Sequence, residues 1–359
     1  MHVTIRLSEV PLHLYQPLAG FAALEREGAF RLSFERLRPG SPYVLPYNMF
    51  EVVTDDGLRF IYDMNDGYEN LLSDAREMPS FYNGLLNRCN LLFKRSFDRQ
   101  KNAQLCERQK VRPTPPNFLV TLPGSPAHRP VPCDPPREKL KKLVRMLPNT
   151  AYANRFVLED NLFSPPRLSA QPKILFMARL WDPAGEFPGQ LTQAMAEERR
   201  SINDSRAACI RLLRKEFGDR FYGGAAPSPF TVREYPDVVL DDPSLARKDA
   251  YLAFMKTFDI QISTMGLHRS TGWKFAEYLA ASKAIVCEPL CYESAGGLAD
   301  GVHYLSFTDA DSCVRSVRAL LDDDTRFRMM QRNHDYAESH LRCKAFVQTT
   351  LKDAGILRK

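Results

Sequence analysis

The sequence predicts an α/β protein of two domains. Its 359 residues exceed what one hydrophobic core usually holds, since cores stop growing at about 250 to 300 residues. Short apolar segments alternate with amphipathic ones, most cleanly in the C-terminal half, as strand and helix alternate around a parallel sheet. Nine prolines gather between Val111 and Pro136, marking an irregular connection near which the domains part. The expected division is residues 1–150, residues 151–335, and a terminal helix over 336–359.

Composition fits two ordinary cores. The chain is 44% apolar and 26% charged, which excludes disordered, fibrous and disulfide-stapled classes. No apolar stretch is long enough to span a bilayer, and Met1 to Arg6 has no basic head leading into an apolar run, so a cytoplasmic protein is expected, with the inner face of a membrane as an alternative place within the cytoplasm. The eight cysteines are scattered; Cys287 and Cys291 have no second pair at zinc-ligand spacing, and the thiols are expected to be reduced.

The net charge is +6, yet Lys94 to Arg145 alone holds 13 Lys or Arg against 4 Asp or Glu. No zinc-finger spacing or aromatic RNA-binding motif accompanies this charge, so nucleic acid is not expected as a partner. A diphosphate or an anionic membrane would serve. Within this region Arg137 to Met146 spaces Leu140, Leu143, Val144 and Met146 on one face of a basic helix. It reads either as a solvated helix packed on the core or as a peripheral membrane contact, the first being preferred.

In the first half, strands are expected at His2 to Leu7, Phe30 to Leu37, Met49 to Thr54, Leu58 to Tyr62 and Leu91 to Phe93, with helical spacing from Asn70 to Asn90 and a further strand at Asn117 to Leu122. In the second half, strands are expected at Lys173 to Met177, Arg220 to Tyr222, Asp259 to Ser263, Ala284 to Cys287 and His303 to Phe307. Helices between and after them cover Thr192 to Phe217, Ser244 to Thr257, Gly272 to Ser282, Ala310 to Asp322 and Thr325 to Ala354.

The chemistry concentrates between Asp259 and Val286. An apolar strand runs out at Gly266, a polar loop with His268, Arg269, Ser270, Thr271 and Gly272 follows, and a helix begins at once. Backbone N–H groups and the helix dipole converge there on a place for an anion. Lys274 lies on the first helical turn and adds charge. Glu277, one turn along, can accept both hydroxyls of a ribose. Phosphate beside ribose means a nucleotide. The duller alternatives are an N-cap at Ser270 to Gly272 and a surface pair between Lys274 and Glu277.

This order of residues, with Gly272, Lys274, Glu277, Tyr278, Leu279, Ala280, Ala281, Lys283, Ile285 and Val286, resembles the donor-binding helix of GT-B glycosyltransferases. Ile174 to Leu180 is similar to the first strand of the second domain of that fold, where an Arg, here Arg179, often reaches the donor phosphates. With Trp181-Asp182-Pro183 and Phe93 to Ser96, the chain resembles bacterial family-1-type transferases of surface-polysaccharide assembly. The resemblance implies two Rossmann-like domains facing each other across a cleft, with the nucleotide-sugar donor on the second, a glycan or lipid-linked glycan acceptor on the first, and the terminal helix over 336–359 packing back on the first. The nucleotide sugar is a substrate, and no cofactor is expected. In one respect the pattern departs: Arg269 stands eight positions before Glu277, where many retaining members carry a Glu. An Arg can bind phosphate or an acidic sugar but cannot act as that carboxylate.

An inverting transfer needs a base. Asp63 and Asp66, at the end of the strand Phe60 to Tyr62, are the catalytic candidates, with an Asx-type turn as the plainer alternative. Lys94 and Arg95 are candidates to hold the leaving diphosphate or an anionic acceptor. The acidic clusters Asp55-Asp56, Asp241-Asp242 and Asp322 to Asp324 lie beside turns or helix ends and read as surface, so no metal is expected. The rival function is a non-catalytic protein of the same fold that binds a nucleotide or polyanion, which salt-sensitive binding without donor turnover would identify.

Overall fold

A computed structural model describes residues 1–38, 40–41, 44–69, 71–72, 74–132, 134–147, 158–185 and 191–357. The chain divides into two compact units. The first comprises Met1–Leu162, Cys291–Gly297 and Tyr336–Lys359; the second comprises Phe163–Leu290 and Leu298–Asp335.

In the first unit the chain runs through β1 (His2–Leu7), α1 (Tyr15–Arg26), β2 (Arg31–Arg36), β3 (Met49–Thr54), β4 (Arg59–Asp63), α2 (Met78–Leu86), β5 (Leu91–Lys94), the single turn α3 (Arg99–Asn102), β6 (Val111–Pro113), α4 (Pro136–Arg145) and the short α5 (Glu159–Leu162). The six strands form one sheet in the order β2-β1-β3-β4-β5-β6. All neighbours are parallel except β3, which runs against both β1 and β4. The turn at Asp55-Asp56-Gly57, with Gly57 at φ 88°, is too short for a crossover and joins β3 to β4 as a hairpin.

Alternation sorts the sheet's two faces. Phe50, Tyr62 and Phe93 pack with Phe21 of α1 on one face, the Phe50 and Tyr62 rings stacked at 4.6 Å. Ile61 and Leu92 point to the other face, among Tyr82, Leu85 and Leu86 of α2. The last helix of the chain covers the first face beside α1, and the Tyr62 hydroxyl meets Thr350 Oγ1 at 2.7 Å.

The second unit contains β7 (Ile174–Ala178), α6 (Gln193–Phe217), β8 (Phe221–Ala225), α7 (Pro229–Glu234), α8 (Lys248–Met255), β9 (Ile260–Ser263), α9 (Trp273–Ala280), β10 (Ala284–Cys287), β11 (Leu305–Ser306), α10 (Ala310–Ala319) and α11 (Asp323–Tyr336). After a π turn at Ala337–Leu341 the chain enters α12 (Cys343–Asp353), the helix that belongs to the first unit. The sheet order β11-β10-β9-β7-β8 is parallel throughout. Strands β7, β9 and β10 are buried at every position, as a sheet covered by helices on both faces requires. Sequence-encoded caps start the helices: Thr192 accepts from Met195 N–H, and Asp309 forms a capping box with Ser312.

The structure corrects the expected elements in several places. Asn117 to Leu122 is not a strand; the edge position belongs to Val111–Pro113. Side chains satisfy the segment instead, with Phe118 N–H donating to Gln16 Oε1 and Asn117 Nδ2 to the His13 carbonyl. Helix α1 was not expected. Pro17 lies in the first turn, where its missing N–H costs nothing. Gly20 sits where a Cβ would come 2.0 Å from the Cys343 carbonyl oxygen, so it lets α1 and α12 approach. Helix α4 forms, but its apolar residues Leu140, Leu143, Val144 and Met146 are exposed, which overturns the preferred reading of a helix packed on the core through that face.

Among the described residues no cysteine is in a disulfide; Cys133 lies outside them. The acidic clusters at 55–56, 241–242 and 322–324 are exposed.

Candidate functional site

Numbered within the second unit, the sheet reads 2-1-3-4-5, a doubly wound order whose switch point lies between β7 and β9, where ligands bind in the crevice beyond the strand ends. The ladder shows the split directly. β7 pairs with β9 only at Ile174↔Ile260 and Leu175↔Gln261, whereas its pairing with β8 continues to Ala178↔Ala225. Two cations fill the opening. Lys274 Nζ donates to the Met177 carbonyl. The buried Arg206 donates to the Arg179 carbonyl, to Met265 O at 2.7 Å and to Thr264 Oγ1 at 2.8 Å, tying the loop after β7 to the loop after β9. Burial lowers the Arg206 guanidinium to about 10, partly offset by Glu288.

Helix α6 organises this edge through one face, since residues 199, 203 and 206 fall at i, i+4 and i+7. Arg199 donates to Asp182 O at 2.8 Å. Asn203 accepts from Trp181 N–H at 2.8 Å and returns a bond to Trp181 O at 2.7 Å. The loop so held presents Arg179, which is exposed and stacks over the Trp181 ring at 4.2 Å.

On the far side of the crevice, Gly266 N–H donates to Ser270 O at 2.8 Å and closes the loop. His268 and Arg269 both lie in the left-handed region, at φ 58° and 55°, a conformation that costs a non-glycine residue about 1–2 kcal/mol. Two carboxylates brace the loop: Met265 N–H donates to Glu288 Oε2 at 2.7 Å, and His268 N–H to Glu198 Oε1 at 2.8 Å. Gly272 is the N-cap of α9, with no side-chain cap, and a Cβ there would meet nothing nearer than 3.9 Å.

Glu277 is fully buried in α9. Lys248, at the start of α8, pairs with its Oε1. Lys274 and Glu277 are therefore not a surface pair. The Tyr251 ring lies beneath both lysines, 5.0 Å from Lys274 Nζ and 5.4 Å from Lys248 Nζ. Burial raises the Tyr251 phenol well above its ordinary range, with Tyr278 and Glu277 adding to the shift.

Burial pushes the Lys274 ammonium from 10.5 down to about 7; Glu277 opposes the shift, and Lys248 and Arg206 reinforce it. The unfolded chain therefore binds one more proton than the native state between these two values, and stability from this group rises with pH across that window. An anion bound beside Lys274 would select the charged form, so its binding is expected to weaken as pH rises from about 6 to about 8.5 and to take up protons. Calorimetry in buffers of different ionisation enthalpy measures this uptake. In Lys274→Met the pH dependence across this window is expected to vanish; an unchanged dependence would assign it to another group.

The structure brings together Arg179, Gly266, His268, Arg269, Ser270, Thr271, Gly272, Lys274 and Glu277 around the ends of β7 and β9. Sequence reasoning missed Arg206, Asn203, Glu198, Lys248, Tyr251 and Glu288. Only the polar positions 199, 203 and 206 on one face of an otherwise amphipathic helix offered a signal.

The first-unit candidates are placed differently. Asp63 is fully buried, not presented on a loop. Its Oδ2 accepts from Tyr82 Oη at 2.8 Å and pairs with Lys94 Nζ at 3.0 Å, and its Oδ1 accepts from Asn65 N and Nδ2, both at 3.0 Å. Lys94, also fully buried, donates to Asn65 O at 3.1 Å and lies 4.9 Å from the Tyr68 ring centre. A carboxylate so enclosed cannot reach an acceptor hydroxyl, and an ammonium so enclosed cannot reach a diphosphate. Asp66 is a third exposed and pairs with the buried Arg95. Burial lowers Arg95 to about 10, with Asp63 and Tyr292 opposing the shift. Burial and Arg95 together lower His13 to about 3, so its ring stays neutral.

No family model and no curated protein matches the chain. Among solved structures it is similar to WaaG, described as a glycosyltransferase involved in lipopolysaccharide biosynthesis, at 12% identity over 94% of this chain and 81% of that one, with a TM-score of 0.42. It is similar to Anabaena HepE in complex with UDP and glucose at 11% identity, over 83% and 71%, with a TM-score of 0.41. It is also similar to sucrose-phosphate synthase from Thermosynechococcus elongatus at 13% identity, over 98% and 94%, with a TM-score of 0.37. The chain itself is an α/β protein of two units, each with its own sheet and core, the second doubly wound with its crevice at the β7/β9 switch point.

Proposed function

We propose that the chain is a glycosyltransferase that moves a sugar from a nucleoside-diphosphate donor to a glycan or lipid-linked glycan in surface-polysaccharide synthesis, at the inner face of a membrane. One observation carries this reading: at the switch-point crevice the N-terminus of α9, whose N-cap Gly272 has no side chain, stands with Arg179 and Lys274, and the buried Glu277 lies one turn inward. The cations and the helix start are suited to the diphosphate, and Glu277 to the ribose.

Departure of the diphosphate is the charge-developing step. Arg179, Lys274 and the first-turn N–H groups of α9 would stabilise that charge in place of a metal ion. Lys248 pairs with Glu277 in its buried position. The acceptor falls to the first unit, where a cavity of about 590 Å³ opens beyond the ends of β1 and β2, lined by residues that include Ser8, Val10, Arg36, Val44 and Glu138. It mixes polar and apolar walls, as a sugar or a lipid-linked sugar requires.

The test is turnover. The protein is incubated with UDP-, GDP-, TDP- and ADP-sugars and a lipid-linked glycan extract, with and without EDTA, and released nucleotide is measured. Release from one donor class, dependent on acceptor and insensitive to EDTA, is expected. Tight nucleotide binding with no release from any donor would leave the non-catalytic binding protein as the better reading.

A further inference from the structure

Helix α4 carries a surface that the donor site does not use. Leu140, Leu143 and Val144 lie on one stripe at i, i+3 and i+4 and are 63%, 53% and 40% exposed; Leu147, just beyond the helix end, is 56% exposed. Large apolar side chains at this density on a short helix are costly in water unless something covers them.

The opposite face shows why the stripe points outward. Lys142, half a turn away from it, is buried, and its Nζ is held by Asp134 at 2.8 and 3.0 Å and by the Pro126 carbonyl. Pro135 and Pro136 fix the helix start. The helix is therefore anchored by a lysine and displays its leucines. On a helical projection Lys139 flanks the stripe on one side, and Arg137 and Lys141 flank it on the other. Lys141 pairs with Glu138 at 2.5 Å, the one acidic residue of the helix.

An apolar stripe between rows of cations matches a layer that is apolar inside and anionic at its surface. A polynucleotide would use the cations and leave the leucines in water. We propose that α4 lies in the headgroup region of an anionic lipid bilayer, the stripe among the acyl chains and Arg137, Lys139 and Lys141 at the phosphates. No described helix is long and apolar enough to cross a membrane, so the contact is peripheral. Glu138 and Lys142 also line the 590 Å³ cavity, which places that cavity beside the bilayer. The inference rests on α4 alone and stands whether or not the donor site binds a nucleotide.

The experiment is vesicle co-sedimentation of the full chain at physiological salt. Vesicles are either phosphatidylcholine alone or phosphatidylcholine mixed with the anionic phosphatidylglycerol. Two variants accompany the native chain, Leu140→Ser/Leu143→Ser and Lys139→Gln/Lys141→Gln, with melting midpoints recorded for each. Binding to the anionic vesicles at least about tenfold tighter than to neutral ones is expected, and each variant is expected to lose about tenfold or more with an unchanged midpoint. In a Leu143→Trp variant the emission is expected to shift to the blue on anionic vesicles. Failure to bind anionic vesicles would overturn the proposal. So would binding that the leucine variant retains, which would mark a polyanion surface. Self-association abolished by the leucine variant, without vesicle binding, would overturn it in favour of a second copy of the chain.

Discussion

Asp63→Asn is expected to destabilise the protein by roughly 3–5 kcal/mol, the cost of leaving a buried charge without its partner. Lys94 would keep its bond to the Asn65 carbonyl and its place beside Tyr68 but lose the carboxylate that neutralises it. A urea titration reads the change as a lower midpoint at an unchanged slope. Asp63→Asn/Lys94→Met removes both charges and is expected to recover most of the loss, because an apolar replacement of a buried pair is often neutral. If Asp63→Asn were as stable as the native chain yet inactive, Asp63 would be chemical and not structural.

Arg206→Met is expected to cost roughly 3 kcal/mol and to weaken nucleotide binding by more than about tenfold. The guanidinium makes three hydrogen bonds, to Thr264 Oγ1, Arg179 O and Met265 O. Its removal leaves buried acceptors without donors, each worth about 1–3 kcal/mol before relaxation. These bonds join the loop that carries Arg179 to the loop that leads to Gly272, so the loss also separates the two halves of the crevice. Stability and affinity are measured on the same preparation, the second by calorimetry with a nucleoside diphosphate. Lost stability with native affinity would show that Arg206 supports the fold and not the site.

The difference between these two regions traces how far the sequence could be read. In the second unit the strand Asp259 to Ser263, the polar loop and the helix from Gly272 are contiguous, so local order brought Lys274 and Glu277 to one strand end. The partners that hold them are not contiguous. Arg206 comes from the middle of α6, Lys248 from the start of α8 and Glu288 from the end of β10. Beyond the polar face of α6, nothing local in those segments points at residues 264–277.

In the first unit the register was the obstacle. Asp63 and Lys94 are paired positions of β4 and β5, and their ion pair follows from a ladder that a one-dimensional pattern does not display. The strand end was foreseen, but α2 covers it with Tyr82, and that burial turns two candidate site residues into a structural pair. Helix α4 was misread for a related reason. Its periodicity was plain, yet periodicity does not say which face meets the core, and the anchor at Lys142 decided it. Helix α1 stayed hidden because Gly20 lowers local helix propensity in exchange for a contact with α12, far away in the sequence.

The central claim is that the β7/β9 crevice binds a nucleoside diphosphate with Glu277 on the ribose, and thermal shift tests it most directly. The native chain and Glu277→Ala are melted with UDP, GDP, TDP, ADP and CMP. A ligand at about 100 times its dissociation constant adds about 2.7 kcal/mol to native stability, a shift of several degrees. The account predicts stabilisation of the native chain by one diphosphate above the others and its loss in Glu277→Ala. No shift with any nucleotide, or a shift that Glu277→Ala retains in full, would contradict it.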